Sequence, residues 1–360
     1  MYLLLLFVFV ILALLEFFLI RVLPQHISCS SVPDKRNLEP GEEFCLISTV
    51  ENTSVLPAFS VKIKEEVPPE LISSSQQHPV SKEGVYSLLT SNVSLGPRQK
   101  LVQRFPVSFP SRGRYLFRGS YVLVGDFLGV KETRLSFQQI EEVIVFPKRL
   151  EIGEMCNALG SLMGDVSVHR FIFEDPILTV GFRDYTGKEP MKSINWKQSA
   201  RMRSLMVNQY DHTRDLSVTV VLNIDYGTWN TRSTDLLETL FSYTRMVCEA
   251  LESKKVRYSF MTNAATAGTI GRWDKVEEGL GDRHLSIILE GIGRASYNPR
   301  ENYEYLLSRV LKSAEQGQTY IILTPTREHR CEKEIARLET VSGSPCAVLY
   351  ADEGGELQWN

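Results

Sequence analysis

Residues 217–225 read SVTVVLNID, a largely apolar run that ends at Asp225. A continuous apolar strand of this kind is typical of a parallel sheet that is buried on both faces. A helical pattern follows, because Asp235 and Glu238 fit a capping box and apolar residues recur every three or four positions up to Leu251. A buried strand followed by an amphipathic helix is the repeating unit of an α/β fold.

The same alternation of strand and helix continues to the end of the chain. The sequence predicts three more strands, over residues 256–263, 319–325 and 346–352. It predicts three more helices, over residues 285–292, from Asn298 onward and over residues 328–343. In the second of these helices, Asn298 fits the N-cap and Pro299 the first helical position. Right-handed crossovers would place helices on both faces of the sheet, so we predict a doubly wound, mostly parallel α/β domain over residues 217–360.

Residues 27–148 contain short strand-like runs separated by Pro, Gly and Asn. In AFSVKIKEEV, residues 58–67, the apolar Val61, Ile63 and Val67 interleave with charged residues, and a period of two indicates a half-buried strand. We interpret the adjacent carboxylates Glu65 and Glu66 as part of a solvated face. Several short strands at this spacing predict an antiparallel β-sandwich of immunoglobulin-like architecture.

The chain begins with an apolar segment, MYLLLLFVFVILALLEFFLI, over residues 1–20. About 20 such residues in a helix match the hydrocarbon thickness of a bilayer. A cleaved signal peptide is the alternative, but it would need a basic residue before the apolar run and a small-residue cleavage site after it. We therefore predict a transmembrane anchor over residues 1–22. Because Arg21, Lys35 and Arg36 follow the anchor, the positive-inside rule predicts a single-pass inner-membrane protein whose soluble domains lie in the cytoplasm.

The composition argues against several classes of function. The 360 residues carry a net charge of −3, whereas a nucleic-acid partner would call for a clear cationic excess. The six cysteines form no close pairs, which favours free thiols over a zinc site or a disulfide framework. The sequence contains no nucleophile elbow, no phosphate-binding loop and no paired-histidine motif. We therefore predict neither catalysis nor a small-molecule substrate.

Residues 183–201, RDYTGKEPMKSINWKQSAR, lie in a segment, residues 149–216, that connects the two predicted domains. Cations, aromatics and a glycine in close succession favour neither helix nor strand, so we predict an irregular segment held by hydrogen bonds and Arg–aromatic stacking. The segment resembles the signature of the domain-of-unknown-function 58 (DUF58) family. The resemblance rests on Arg183, Tyr185, Gly187, Lys192, Ile194, Trp196, Ser199, Ala200 and Arg201. Two positions depart from the family pattern, since Lys188 stands in place of an Asp and Lys192 in place of an Arg.

A second part of the resemblance lies within the predicted sandwich. The residues Arg112, Gly113, Arg114 and Tyr115 are similar to an Arg-Gly-x-Tyr element of the family. The basic cluster that begins at Arg112 has two interpretations. It is either a docking surface or a solvated hairpin with a glycine turn, and we favour the hairpin because long cationic side chains are mostly exposed.

The resemblance also implies a von Willebrand factor A-like domain over residues 217–360. Such domains often hold a divalent cation through an Asp-x-Ser-x-Ser sequence after the first strand. Asp225 matches the Asp, but Gly227 and Trp229 occupy the serine positions and cannot coordinate, while Thr228 is one residue out of register. Because Mg²⁺ requires several hard oxygen ligands, we expect no cofactor, and Asp225 would be the metal ligand if any is bound. Asp225 would otherwise cap a following turn or meet a cation of a partner.

For function, the resemblance implies a membrane-anchored interaction or scaffold protein that works with a MoxR-type AAA+ ATPase in a chaperone or assembly system. The partner-binding surface would include Asp225, Tyr226, Thr228, Trp229 and Arg232. We expect Trp196 and Tyr185 to pack the segment onto the α/β domain rather than to touch the partner. The alternative is a Mg²⁺-dependent adhesion or ligand-binding protein, exposed outside the cell, with Asp225 as the metal ligand.

Overall fold

The computed structural model describes the chain over residues 21–74, 80–125, 131–150, 179–186, 194–210, 217–226, 233–268, 273–325, 331–351 and 357–359. The chain divides into two compact units. The first unit is Met1–Lys148 with Leu289–Arg294, and the second is Arg149–Ile288 with Ala295–Asn360. Across the described residues, strands account for more of the chain than helices do.

The first unit contains ten described strands in two sheets. They are β1 (Ile27–Pro33), β2 (Asn37–Leu38), β3 (Glu43–Asn52), β4 (Ala58–Val67), β5 (Ile72–Ser73), β6 (Val80–Glu83), β7 (Tyr86–Leu95), β8 (Lys100–Ser108), β9 (Gly113–Gly125) and β10 (Glu132–Val145). One sheet has the strand order β1-β3-β8-β5 and the other β2-β10-β9-β4-β7-β6. Neighbouring strands are antiparallel except β2 and β10. Buried side chains from both sheets share common clusters, which confirms the predicted antiparallel β-sandwich.

A polar layer divides the core of the sandwich into two apolar clusters. On β4, Glu65 lies between Ile63 of one cluster and Val67 of the other, and only 2% of its surface is exposed. The hydroxyls of Ser31 and Ser48 each donate a hydrogen bond of 2.6 Å to Oε1 of Glu65. Burial raises the pKa of Glu65, although these hydrogen bonds oppose the shift. The interpretation of Glu65 as a solvated carboxylate is therefore wrong, because the period of two turns this position inward.

The five cysteines of the described residues carry free thiols. Cys29 borders the polar layer, where its Sγ accepts a hydrogen bond of 3.3 Å from the hydroxyl of Ser120. Burial raises the pKa of Cys29 to about 11 and that of Cys346 to about 12, and it also raises the pKa of Cys248. Thiols with raised pKa values stay protonated at neutral pH and are poor nucleophiles.

The Arg-Gly-x-Tyr element begins with a buried arginine. Arg112 is 7% exposed, and its Nη1 donates a hydrogen bond of 2.7 Å to the backbone oxygen of Ile292. Ile292 belongs to the segment Leu289–Arg294, which is part of the first unit. The ring of Tyr115 stacks on that of Phe109, with the ring centroids 3.8 Å apart. The structure supports neither interpretation of Arg112, because its guanidinium satisfies a backbone oxygen inside this unit.

The described residues after the first ten strands contain ten more strands. They are β11 (Thr179–Asp184), β12 (Met206–Tyr210), β13 (Ser217–Leu222), β14 (Arg257–Thr262), β15 (Ala264–Thr266), β16 (Lys275–Gly279), β17 (Ala295–Pro299), β18 (Thr319–Thr324), β19 (Ala347–Ala351) and β20 (Leu357–Trp359). The described α-helices are α1 (Trp196–Met202), α2 (Ser233–Ser253), α3 (Asp282–Arg294), α4 (Tyr303–Lys312) and α5 (Glu332–Ser342). A six-stranded sheet has the order β16-β14-β13-β18-β19-β20. Its four middle strands are parallel, and β16 and β20 pair antiparallel at its edges.

The prediction of a transmembrane helix over residues 1–22, and with it of a single-pass inner-membrane protein with cytoplasmic domains, is corrected. Among the described residues, no helix has both the length and the apolar character that crossing a membrane requires. A span needs about 20 mostly apolar residues, whereas the longest described helix, α2, carries charged side chains such as Asp235, Arg245 and Glu252. The apolar run of residues 1–20 itself lies outside the described residues.

The predicted fold class is also corrected for residues 217–360. The prediction starts a helix at Asn298, but this position lies in β17, and α4 begins only at Tyr303. The true N-cap is Asn302, whose Oδ1 accepts a hydrogen bond of 3.0 Å from the backbone N–H three residues later. Pro299 pairs with β15, so strand pairing overrides the local helix signal. The described chain is mostly β-sheet, with five sheets and five α-helices, rather than an anchored, doubly wound α/β protein.

Candidate functional site

The family-like segment lies in a module that contains β11, α1 and β12. We call its described residues, 179–186 and 194–210, the signature module. Strands β11 and β12 pair antiparallel, with Asp184 opposite Met206. Helix α1 lies between them in the chain, and just before it Ile194 forms an isolated bridge with Val207. In its described residues, a segment predicted to be irregular is therefore a strand pair with a short helix.

Ser199 joins α1 to β12. Its Oγ accepts a hydrogen bond of 2.8 Å from the backbone N–H of Met206 and donates one of 2.8 Å to the backbone oxygen of Asn195. Asn195 is the N-cap of α1, because its Oδ1 accepts a hydrogen bond of 3.1 Å from the N–H of Gln198. Ser199 is buried, so water does not compete for these bonds. The serine of the signature thus holds the helix against the strand.

Large apolar side chains of the signature module are exposed to solvent. They are Phe182, Trp196, Met202 and Leu205. Trp196 is 61% exposed and Met202 is 66% exposed. The expectation that Trp196 fixes the segment by burial is therefore wrong, since Ser199 and not the indole occupies the buried side of α1. Tyr185 is half-buried, and its backbone N–H donates a hydrogen bond of 2.8 Å to the oxygen of Leu205.

Four of the other predicted site residues lie in the described part of the chain, and five do not. Arg201 is exposed on α1, and Arg183 lies in β11 opposite Val207. Asp225 and Tyr226 follow β13 and are both half-buried. The predicted positions that lie outside the described residues are Gly187, Lys192, Thr228, Trp229 and Arg232.

Buried polar side chains bond to one another at the carboxyl edge of the parallel strands. Nδ2 of Asn223 donates to Oγ1 of Thr324 at 2.9 Å, and Nδ2 of Asn263 donates to Oδ1 of Asn223 at 2.7 Å. Oδ1 of Asn263 accepts a hydrogen bond of 2.9 Å from the backbone N–H of Ile224. Asn223, Asn263 and Thr324 are each at most 1% exposed. Together they fix the chain that leads to Asp225, whose N–H donates to Oδ1 of Asn223 at 2.9 Å.

Asp225 caps the start of α4. Its Oδ2 accepts a hydrogen bond of 3.2 Å from the backbone N–H of Tyr303, the first residue of that helix. The free N–H groups at a helix N-terminus carry partial positive charge and stabilise a carboxylate. The helix end therefore supplies part of the electrostatic compensation that a bound cation would give to Asp225.

Among the described residues, the polar side chains at this sheet edge include no second carboxylate that bonds beside Asp225. Mg²⁺ needs near-octahedral oxygen ligands, with carboxylates among them. The described amide and hydroxyl side chains of Asn223, Asn263 and Thr324 bond to one another. In the part of the chain that the structure describes, no group of three or more His, Cys, Asp or Glu side chains could hold a metal ion.

Sequence reasoning missed Asn223 and Asn263. A signal was present, because in LNID and MTNA an amide side chain directly follows the last residue of an apolar strand. Adjacent parallel strands end at one sheet edge, so such residues are brought together. The sequence does not show which polar groups they would meet there, since their partners lie about 40 and 101 positions away in the chain.

Comparison with known proteins gives weak similarities. No family model matches the chain. It is 19% identical to an uncharacterised protein, YeaD, of Bacillus subtilis over 329 residues, which cover 89% of this chain and 74% of that protein. The CARDB domain of PF1109 from Pyrococcus furiosus is 14% identical, with a TM-score of 0.22 over 33% of this chain and 91% of that domain. A cohesin module from Clostridium perfringens is 14% identical, with a TM-score of 0.23 over 33% of this chain and 96% of that module. Neither the 19% sequence identity nor these structural similarities assign the chain to a family, so the resemblance of residues 183–201 to the DUF58 signature stays a prediction.

Proposed function

We propose that the chain is a non-catalytic protein-interaction protein that binds its partner through the signature module. The observation that carries the proposal is the exposure of Trp196 and Met202 on α1. Trp and Met are enriched at the centres of protein interfaces, where a few large side chains supply most of the binding free energy. Single exposed apolar residues are common on any protein. Here four of them belong to one module that also carries exposed arginines.

The absence of catalysis is part of the proposal. Buried thiols with raised pKa values, such as Cys29 and Cys248, are unsuited to nucleophilic attack. The hydroxyl of Ser199 is occupied by backbone groups and has no basic side chain as a bonded partner among its described contacts. As partner we propose a MoxR-type AAA+ ATPase, a choice that rests on the resemblance of residues 183–201 to the DUF58 signature.

Replacing Trp196 with alanine is expected to weaken binding of a purified MoxR-type ATPase from the same genome by about tenfold or more, because hot-spot aromatics contribute on that scale. The measurement is titration calorimetry or biolayer interferometry with the full chain. The melting temperature is expected to stay within about 1 °C of the original, since the indole is solvated.

The matched control is Tyr305→Ala. Tyr305 is 57% exposed, close to the exposure of Trp196, but lies on α4. It is expected to leave the affinity for the ATPase unchanged. Equal losses in both variants, or a Trp196→Ala variant that binds as tightly as the original chain, would count against the signature module as the contact surface.

The alternative of a Mg²⁺-dependent adhesion protein gains no support from Asp225. Asp225→Ala is expected to destabilise the second unit by about 1 kcal/mol, the usual loss for a helix cap, and to do so equally with and without Mg²⁺. Melting curves of EDTA-treated protein with and without millimolar Mg²⁺ provide the check. A bound ion would raise the melting temperature by mass action. A rise that disappears in Asp225→Ala would restore the metal-dependent alternative.

A further inference from the structure

We infer that the partner segment recognised by the signature module is acidic, an inference that rests on the proposed function. The module that carries the exposed apolar side chains also carries three exposed cations: Lys197, Arg201 and Arg203. The described residues of the module contain a single acidic side chain, Asp184, which accepts a hydrogen bond of 3.3 Å from the hydroxyl of Ser204. The chain as a whole has a net charge of −3, so this module is a local cationic surface on an acidic protein.

Lys197 and Arg201 form a pair of like charges on α1. They stand four residues apart on α1, where side chains are neighbours and like charges repel each other. Lys197 also lies in the first turn of the helix, where the macrodipole disfavours a cation. Within the described ranges, no ion pair involves either residue. The arrangement opposes the stability of the helix and is relieved when carboxylates of another molecule approach.

Arg203 adds an independent observation. It occupies the C-cap of α1 with φ 55° and ψ 20°, in the left-handed region that favours glycine. Glycine would end the helix here without a steric penalty. Arginine at this position therefore gives the module a third cation at a cost in backbone conformational energy. Unfavourable backbone conformations of this kind concentrate at functional sites.

Exposed apolar side chains and exposed cations in one short module fit a segment that combines carboxylates with aliphatic side chains. Arg and Trp are the residues most enriched among interface hot spots, and rim charges select the partner by their sign. An oligonucleotide would also satisfy the cations but would leave Met202 and Leu205 without apolar contacts. The observations therefore favour an acidic amphipathic protein segment.

The experiment uses the full chain and three fluorescein-labelled probes, which are a Glu/Leu-rich peptide, a Lys/Leu-rich peptide of the same length, and an oligo(dT) strand. The Glu/Leu peptide is expected to bind in fluorescence anisotropy, with an affinity that falls as salt is raised. The double variant Lys197→Glu/Arg201→Glu is expected to lose about tenfold or more in affinity for it. Arg203→Gly is expected to raise the thermal stability and to lower the affinity about threefold.

The matched control is Lys333→Glu/Arg337→Glu, the same pair of changes at exposed positions four residues apart on α5. It is expected to bind the Glu/Leu peptide as the original chain does. Preferred binding of the Lys/Leu peptide or of oligo(dT) would overturn the inference. So would an unchanged affinity after reversal of Lys197 and Arg201, or a large fall in melting temperature, which would show that these cations pair within the chain.

The inference and the proposed function can fail separately. If Trp196→Ala weakens ATPase binding while the charge reversal changes neither ATPase nor peptide binding, the contact surface stands and its preference for acidic segments is refuted. If the Glu/Leu peptide binds and the charge reversal abolishes this binding, but the ATPase does not bind, the inference stands and the proposed partner is wrong.

Discussion

Replacement of Asn263 with alanine is expected to lower the free energy of unfolding of the second unit by about 3 kcal/mol. Asn263 is 1% exposed, and its side chain makes hydrogen bonds to the N–H of Ile224, to Oδ1 of Asn223 and to the backbone oxygen of Glu301. Alanine would leave these buried groups without a partner, and each such group costs about 1–3 kcal/mol. Urea unfolding followed by fluorescence and circular dichroism gives the change in midpoint.

Two further variants make this test specific. Asn298→Ala removes an exposed asparagine from β17 and is expected to change the stability by less than about 0.5 kcal/mol. Asn263→Asp keeps an acceptor for the N–H of Ile224 but loses the amide donor. Only a protonated carboxyl group at this position could donate in its place, so the free energy of unfolding of this variant is expected to lie between those of Asn263→Ala and the original chain only at low pH. A midpoint for Asn263→Ala that matches the Asn298→Ala control would mean that the amide network does not hold the sheet edge.

Glu65→Gln is expected to stabilise the first unit increasingly as the pH rises and to remove one component of its pH dependence. Burial raises the pKa of Glu65 in the folded chain above its value in the unfolded chain. Below the unfolded value the carboxyl is neutral in both states, and its contribution to stability is fully present. As the pH rises through the folded value, this contribution is lost, at about 1.4 kcal/mol for each unit by which the two pKa values differ.

The measurement is the difference in unfolding free energy between Glu65→Gln and the original chain from acid to alkaline pH. The difference isolates Glu65 from groups such as Glu142. Burial alone would raise the pKa of Glu142, but hydrogen bonds and charge from Arg114 and Arg294 lower it, so its contribution is lost as the pH falls. Glu66→Gln, on the other face of β4, is the matched control and is expected to show no such trend. A flat difference for Glu65→Gln would contradict a raised pKa of Glu65 in the folded chain.

The sequence was sufficient where one pattern decides the structure. Alternation along residues 58–67 predicts the burial of Val61, Ile63 and Val67, and the sandwich follows from several such strands. The same alternation also turns Glu65 inward, yet a carboxylate was interpreted as solvated. The hydroxyls that make its burial tolerable are 34 and 17 positions away, on strands whose pairing the local sequence does not specify.

The sequence predicts less well where tertiary contacts determine the start of a helix or the burial of a side chain. Asn298 and Pro299 fit the start of a helix in sequence, but both lie in β17, which pairs with β15. The helix α4 begins after its N-cap Asn302. In the signature module, the pattern identified Trp196 and Ser199 as special without showing which one is buried. That distinction depends on how a seven-residue helix lies against β12, because such a short helix has no apolar periodicity to read.

The buried thiols have a consequence for following the motions of this chain. Cys29 lies in the first unit, whereas Cys248, Cys331 and Cys346 lie in the second, and all four are buried. An alkylating reagent reaches a buried thiol only when the surrounding structure opens. The alkylation rates of these cysteines under native conditions therefore measure the opening free energies of the two units independently, without any engineered probe.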